Sequence, residues 1–297
     1  MRNTFFPKEF IEKYSAFLGE EWEEFFKTIK TKQPKSFWVN TNKTTIKEAI
    51  NSLKKNSIKF TPLHFHPQAF EIDSNVPGKL EEYRKGLISI QEKAAMMPVV
   101  VLNPSKEDYV LDACAAPGMK TIQLSNLSKK VFATELNSKR FEVLKKTIQR
   151  FELKNVEAKR IDFRNLKRNK RFDKILLDVV CSSEGLVRKK REALVGWSQN
   201  LVKRKSSDQK HMIVRAFDYL KEGGVMVYST CSFAIEENEE VVNYLLSQRK
   251  NAIVEKVNLE GIKIRENKYC PNCVRLYPQD NNTQQFFLAK IRKEKTK

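Results

Sequence analysis

The chain has 297 residues, of which 40% are hydrophobic and 19 are Phe, enough to fill a sizeable core and to exclude wholesale disorder. Its 56 Lys and Arg outweigh 36 Asp and Glu, a net charge of +20 that points to a polyanionic partner, nucleic acid being the commonest. No apolar run approaches the roughly 20 residues that cross a membrane, Met1 to Lys13 lack a secretory apolar stretch, and an odd number of cysteines argues against a disulfide framework, so a reduced, cytoplasmic protein is expected.

From Pro7 to Lys30 the residues Phe10, Tyr14, Phe17, Trp22, Phe25 and Ile29 keep helical spacing, with Gly19 placed to split the run in two. Phe37 to Asn40 reads as a strand, Thr45 to Asn56 as an amphipathic helix, and Ile58 to Pro62 and Ala69 to Ile72 as short strands before a turn at Val76-Pro77-Gly78. This alternation predicts a small α+β unit over residues 1–88. Beyond it, residues 89–297 change to a regular α/β texture. Strands are expected at 109–114, 130–135, 156–161, 172–178, 224–230 and 285–291. Helices are expected at 91–102, 120–128, 138–151, 208–221 and 236–248. Such a pattern predicts a Rossmann-like, doubly wound α/β sheet. Residues 182–207 stand out as a long, polar, basic stretch without regular structure, of the kind that serves function or moves. The tail Arg292 to Lys297 is basic and expected to fray.

Three strand ends carry the chemistry, because ligands of an open α/β sheet bind beyond the carboxyl ends of its strands. Asp112 to Lys120 has one glycine where a dinucleotide fingerprint needs three, yet it sets Gly118 before a helix N-terminus, where backbone approaches a ligand. Glu135, at the end of the next strand, is placed to accept hydrogen bonds from a ribose diol. Asp162, at the end of a third, is placed to receive an adenine amino group. The ordered set describes a nucleoside pocket without a phosphate loop, as S-adenosylmethionine requires. Asp178 closes the fourth strand, Cys181 follows three residues later, and Cys231 follows the strand Val225 to Ser229. Both thiols should open on one edge of the sheet, and a thiol in such a place needs only activation to become a nucleophile. Cys114 reads as largely structural. Cys270-Pro271-Asn272-Cys273 is half a zinc site with no second pair, and His64, His66 and His211 are far away, so structural thiols rather than metal are expected.

Asp112-Ala-Cys-Ala-Ala-Pro-Gly-Met-Lys-Thr121, Asp178-Val-Val-Cys-Ser-Ser-Glu-Gly185 and Ser229-Thr-Cys-Ser232 resemble the RNA cytosine-5 methyltransferases of the NOL1/NOP2/Sun type. The resemblance runs from Val39-Asn40-Thr41 to Arg275-Leu276-Tyr277-Pro278 and Phe286 to Lys290, which is most of the chain. It implies a methyltransferase sheet with a small N-terminal RNA-binding unit and covalent catalysis. Cys231 would be the attacking thiol, Cys181 would assist the elimination that frees the methylated base, and Asp178 would hold the cytosine ring near N3. Cys114, Ala115, Ala116, Pro117, Gly118, Met119, Lys120, Glu135, Arg140 and Asp162, with Asp178, take the family's cofactor-binding positions.

Several residues depart from the family pattern: Met119 replaces a second glycine, Val180 a proline before the assisting cysteine, and Ser183 a glycine two residues after it. Gln285 and Trp38 stand where glycine and arginine are usual. The expected partner is structured RNA, transfer RNA first and ribosomal RNA second, with no membrane contact and the chain taken as a monomer. A basic RNA-binding factor without turnover is the alternative that the departures motivate. A DNA cytosine methyltransferase ranks lowest, since those enzymes carry a Pro-Cys rather than a Thr-Cys motif.

Overall fold

The computed structural model describes residues 6–73 and 77–295; Val76 of the expected turn, the first five residues and the last two of the basic tail lie outside it. The expected helix at the start is broken at Gly19, as its spacing suggests: α1 (Lys8–Leu18) ends there and α2 (Trp22–Ile29) resumes after a short 3-10 turn. Next come β1 (Lys35–Val39), α3 (Ile46–Lys55), β2 (Lys59–Pro62), β3 (Ala69–Asp73), α4 (Glu81–Arg84) and β4 (Ile88–Ile90). Thr45 and Glu48 close a reciprocal capping box on α3, which explains where that helix begins.

The four N-terminal strands form an antiparallel sheet in the order β2-β3-β1-β4. Alternation along β1 sends Phe37 and Val39 into a core with Leu53, Phe70, Ile72 and Ile88 on the α3 side. Trp38, between them, points the other way into the core of the larger sheet, stacks on His66 at 4.4 Å and donates its indole N–H to Asn126 (3.0 Å). The indole at the position where the family carries arginine is therefore a rivet between the two sheets.

The remainder is α5 (Lys93–Leu102), β5 (Tyr109–Asp112), α6 (Met119–Leu127), β6 (Lys130–Glu135), α7 (Ser138–Phe151), β7 (Val156–Arg160), β8 (Phe172–Asp178), α8 (Gln199–Tyr219), β9 (Leu220–Thr230), α9 (Glu239–Gln248), β10 (Ala252–Glu255), β11 (Val274–Leu276), α10 (Pro278–Asn281) and β12 (Phe286–Lys293). The large sheet runs β10-β12-β9-β8-β5-β6-β7, with β11 paired to β12. Its central strands β9, β8, β5, β6 and β7 are parallel, and β12, β10 and β11 are added antiparallel. The chain enters at β5, winds outward to β7, then returns to β8 on the other flank. The winding thus reverses between β5 and β8, where a doubly wound sheet opens its crevice.

Residues 182–207 depart from the expected loop. They form short 3-10 turns at Glu184–Arg188 and Arg191–Leu194 and then the start of α8, which begins at Gln199 rather than 208. Val187, Leu194, Trp197 and Val202 are buried in one aromatic cluster with Phe10, Tyr14, Phe25 and Phe233. The N-terminal helices α1 and α2 therefore brace this segment instead of joining the four-stranded sheet, while Lys189, Lys190, Arg191, Lys203 and Arg204 stay exposed on its outside. Among the described residues no helix is long and apolar enough to cross a membrane. Cys270 and Cys273 are buried with their sulfurs 2.8 Å apart, and among the described residues no group of three or more side chains is arranged to hold a metal ion.

Candidate active site

The loop after β5 is fixed by backbone and side-chain bonds on every side. Ala115 N–H donates to Thr134 O (2.9 Å), Arg140 donates to Ala116 O (2.6 Å), and Thr147 Oγ1 donates to Pro117 O (2.8 Å). Gly118 has φ +106, and a Cβ there would stand 2.8 Å from Thr147 Cγ2, so only glycine passes between this loop and α7. Met119 opens α6, and its sulfur accepts from Ser89 Oγ on the sheet of β4 (3.4 Å). The thioether thus ties the N-terminal sheet to the loop at the position where the family has a second glycine.

Two clusters emerge from the expected site residues. Cys114, Glu135 and Asp162 line one cavity of about 150 Å³ together with Leu136, Phe163 and Val180. Leu136 and Val180, 63% and 44% exposed overall, offer it apolar faces that a flat ring can cover. Glu135 is buried; one oxygen accepts from Asn137 N–H (2.9 Å), and the other makes no hydrogen bond and lies 3.3 Å from Arg140. Burial works against the ionised form of Asp162, but Arg164 outweighs it and holds the carboxyl below its ordinary value, with contacts of 2.6–3.0 Å to both oxygens. Burial, with the nearby carboxyls of Glu135, Asp112 and Asp178, pushes the Cys114 thiol far up, which makes it inert. Arg140 lies outside the cavity lining and supports the loop and Glu135 from behind.

The second cluster holds Lys120, Asp178, Cys181 and Cys231. Lys120 Nζ donates to Asp178 Oδ2 (2.7 Å), and Ser229 Oγ donates to Asp178 Oδ1 (2.7 Å). The Lys120 ammonium also lies 5.4 Å from the centre of the Phe286 ring. β8 and β9 pair in parallel with Asp178 opposite Ser229, so the chain leaves both strands at one level. Cys181 Sγ and Cys231 Sγ then come within 3.0 Å of each other, both as free thiols. The bond to Cys231, followed by burial, pushes the Cys181 thiol up. Cys181 is 6% exposed, whereas Cys231 is half-open.

The turn after β8 lacks the family's proline and is held by hydrogen bonds instead. Val179 N–H donates to Ser229 O (3.1 Å), Gln209 Nε2 to Val180 O (3.2 Å), and Ser182 N–H to the Glu237 carboxyl (3.0 Å). Ser183 sits at φ 65, the left-handed conformation that glycine takes without strain, which accounts for the family preference there. Gln285 is buried and donates to Ser232 O (3.3 Å).

Sequence reasoning missed the layer beneath the thiols. Ser182, Glu184, Ser232 and Glu237 are all buried and hydrogen-bonded to one another, and Tyr14 and Trp197 donate into Glu184 (2.5 and 2.7 Å). The only signal was a serine directly after each thiol and a glutamate two residues beyond the first; spacing alone does not say that they meet.

Residues 99–292 match the family model of the 16S rRNA methyltransferases RsmB/F, and residues 6–93 match that of the N-terminal domain of the 16S rRNA methyltransferase RsmF. The tRNA (cytosine(49)-C(5))-methyltransferase of Pyrococcus abyssi is 34% identical over 305 residues, which cover 96% of this chain and 96% of that protein. The ribosomal RNA small subunit methyltransferase F of Vibrio campbellii is 34% identical over 309 residues, 98% of this chain and 64% of that protein. The chain therefore spans less than two thirds of the length of such curated rRNA relatives. A solved methyltransferase homolog protein from Pyrococcus horikoshii shares the fold with a TM-score of 0.85 at 26% identity, covering 99% of this chain and 100% of that one.

Proposed function

This chain belongs to the RsmB/F type of RNA cytosine-5 methyltransferases, and from that premise we propose that it methylates carbon 5 of a cytosine in structured RNA, in the cytoplasm, through a covalent cysteine adduct. The observation that carries the reading is the pair of free thiols 3.0 Å apart at the exits of β8 and β9, with the Lys120–Asp178 bond at the end of β8. Carbon 5 of cytosine is too weak a nucleophile to take a methyl group unaided. Cys231, the more open thiol, adds to carbon 6 and turns the ring into an enamine; this is covalent catalysis by an activated nucleophile. Asp178, oriented by Lys120 and Ser229, holds the ring near N3. After transfer solvent water takes the carbon 5 proton, the freed pair restores the carbon 5–carbon 6 double bond, and the Cys231–carbon 6 bond breaks with its pair returning to sulfur, which releases the base. Cys181 keeps its proton at neutral pH, since Cys231 and burial push it up, and it assists this elimination by donating a hydrogen bond to the departing Cys231 sulfur, 3.0 Å away.

S-adenosylmethionine supplies the electrophilic methyl group. The residues present fit it: the unbonded buried oxygen of Glu135 suits a ribose hydroxyl, and Leu136 and Val180 offer apolar faces to a purine. The loop Cys114, Ala115, Ala116, Pro117, Gly118, Met119 and Lys120 would carry the methionine end, with Asp162 toward the base.

Transfer RNA is the substrate we favour, because the tRNA relative is matched over nearly its whole length while the rRNA relatives are not. Residues 1–88 serve as the RNA-recognition unit of a methyltransferase domain spanning 89–297. Together with the exposed lysines and arginines of 189–204 they grip RNA backbone, which makes binding strongly salt-dependent. The target base is unstacked to reach Cys231. The test is transfer of labelled methyl from S-adenosylmethionine to tRNA and to 16S rRNA transcripts, with Cys231→Ala beside the wild type. Label on cytosine carbon 5 of tRNA that is lost in the variant supports the reading. Label on rRNA alone moves the substrate, and no label on either overturns the activity.

A further inference from the structure

We propose that Glu184 and Glu237 form a buried carboxyl pair that shares one proton and positions both thiols, and that Tyr14 of α1 completes it. The residues after the thiols, Ser182 and Ser232, carry hydroxyls that each meet both carboxyls. Glu184 Oε2 lies 2.7 Å from Ser182 Oγ and 2.7 Å from Ser232 Oγ; Glu237 Oε1 lies 2.8 Å from Ser232 Oγ and in close contact with Ser182 Oγ. The two hydroxyls are themselves 3.1 Å apart. Four oxygens therefore close a ring with a short contact along each side.

Two serine hydroxyls bring two protons to those four sides. Two carboxylates facing one another in a dry interior do not both ionise, and a proton on one of them supplies a third donor. The other partners decide which one. Glu184 accepts from Tyr14 OH (2.5 Å), Trp197 Nε1 (2.7 Å) and Phe233 N–H (3.0 Å), a donor set that holds a carboxylate. Glu237 accepts from Ser182 N–H (3.0 Å) and Gln209 Nε2 (2.8 Å) and takes the proton. Burial and the facing Glu184 push Glu237 up, in the same direction. The other titratable groups around the pair are Tyr14 on α1, Tyr228 on β9, Glu236 and Cys181. Lys13 pairs with Glu236 and not with either member (2.6 Å).

The ring locks Ser182 to Ser232, and the thiols sit one residue before each. Gly185 N–H donates to Cys231 O (2.8 Å) and closes the frame. Helix α1, far away in sequence, is thereby part of the catalytic centre: Tyr14 and Glu184 are 170 positions apart. Neither carboxyl bonds to a thiol, so both are positioning residues.

The kinetic consequence rests on the methyl-transfer reading; the geometric one does not, and the test separates them. The purified full chain is treated with diamide, which takes two electrons and two protons from a close dithiol, becomes the hydrazine and leaves a disulfide. Peptide mass spectrometry follows the Cys181–Cys231 crosslink, with Cys270–Cys273 as an internal reference. Glu237→Gln keeps the neutral member of the pair and should crosslink within about twofold of wild type, while Glu184→Gln should be at least about tenfold slower, with the reference unchanged. Tyr14→Phe, which deletes one hydroxyl and no packing, should fall between. In methyl transfer Glu184→Gln should lower kcat with KM for RNA unchanged. Equal crosslinking in Glu184→Gln and wild type, or equal loss in both amide variants, overturns the proposal. A wild type that transfers no methyl but shows this crosslinking order leaves the positioning pair standing and removes the activity.

Discussion

Cys181 Sγ lies 3.0 Å from Cys231 Sγ although the two residues are 50 positions apart, because β8 and β9 pair in parallel with Asp178 opposite Ser229. Three residues past the end of β8 and one past the end of β9, the chain brings the two thiols together. A pair this close lets one sulfur hydrogen-bond the other, and Cys181, pushed up by Cys231 and by burial, keeps its proton.

Gly185 is where this arrangement is most easily broken. A Cβ there would stand 2.4 Å from Cys231 O and 2.6 Å from Gln285 O, both backbone atoms with no freedom to rotate away. Gly185→Ala should displace the Cys231 exit, lower kcat on the order of 100-fold and cost roughly 1–3 kcal/mol of stability. Steady-state kinetics and urea unfolding of the same preparation check this; unchanged kcat would mean that the two loops can separate without consequence.

Lys120 should matter through Asp178 rather than through overall charge. Lys120→Met removes the 2.7 Å bond and leaves Ser229 as the remaining partner that holds the carboxylate. A kcat loss of about tenfold or more is expected, with RNA affinity nearly unchanged and Lys120→Arg recovering part of it. If Lys120→Met weakened RNA binding and spared kcat, the lysine would be a phosphate contact instead.

Asp112 predicts a pH dependence of folding. Burial, opposed by the Thr121 hydroxyl at 2.7 Å, raises its pKa from 3.8 to about 7. Between these values the folded chain keeps a proton that the unfolded chain releases, so stability falls as pH rises from about 4 to about 7 and then levels. Asp112→Asn removes that contribution, which is worth up to about 4 kcal/mol. Relative to wild type the variant should gain stability between pH 5 and pH 8 in denaturant unfolding; the same difference at both pH values would contradict the shift.

Arg275 and Glu239 form a buried two-pronged pair, with Nε and the terminal nitrogen each 2.5 Å from a carboxylate oxygen and Nη1 on Phe233 O at 2.8 Å. Arg275→Ala leaves Glu239 charged and unpaired in the interior and should cost about 3–5 kcal/mol. Arg275→Met with Glu239→Leu should recover most of it. Urea midpoints of the three proteins decide, and a single variant as stable as wild type would show that water enters the site.

The strand exits were legible because short β-branched and leucine-rich runs end in turns that carry the acids and thiols. Where those ends meet is then dictated by a parallel sheet. The expected strand ends at Cys114, Glu135, Asp178 and Thr230 fall on or within two residues of the observed ones. Residues 182–207 misled for a physical reason: Lys189, Lys190 and Arg191 dominate the composition, while Val187, Leu194, Trp197 and Val202 are spaced too irregularly to show a buried face. The burial of Glu184 depends on Tyr14 and Trp197, which no local pattern links to it. The proline and glycine departures at Val180 and Ser183 looked damaging, yet hydrogen bonds from Gln209 and to Glu237 hold that turn.

The most direct measurement is a denaturing gel of Cys181→Ala after incubation with labelled tRNA and S-adenosylmethionine, beside Cys181→Ala with Cys231→Ala. If Cys231 forms the adduct and Cys181 assists its release, the single variant should hold a slow-moving RNA–protein band that the double variant lacks. A band of equal strength in the double variant, or methyl turnover by Cys231→Ala alone, would contradict the assignment of Cys231 as the nucleophile.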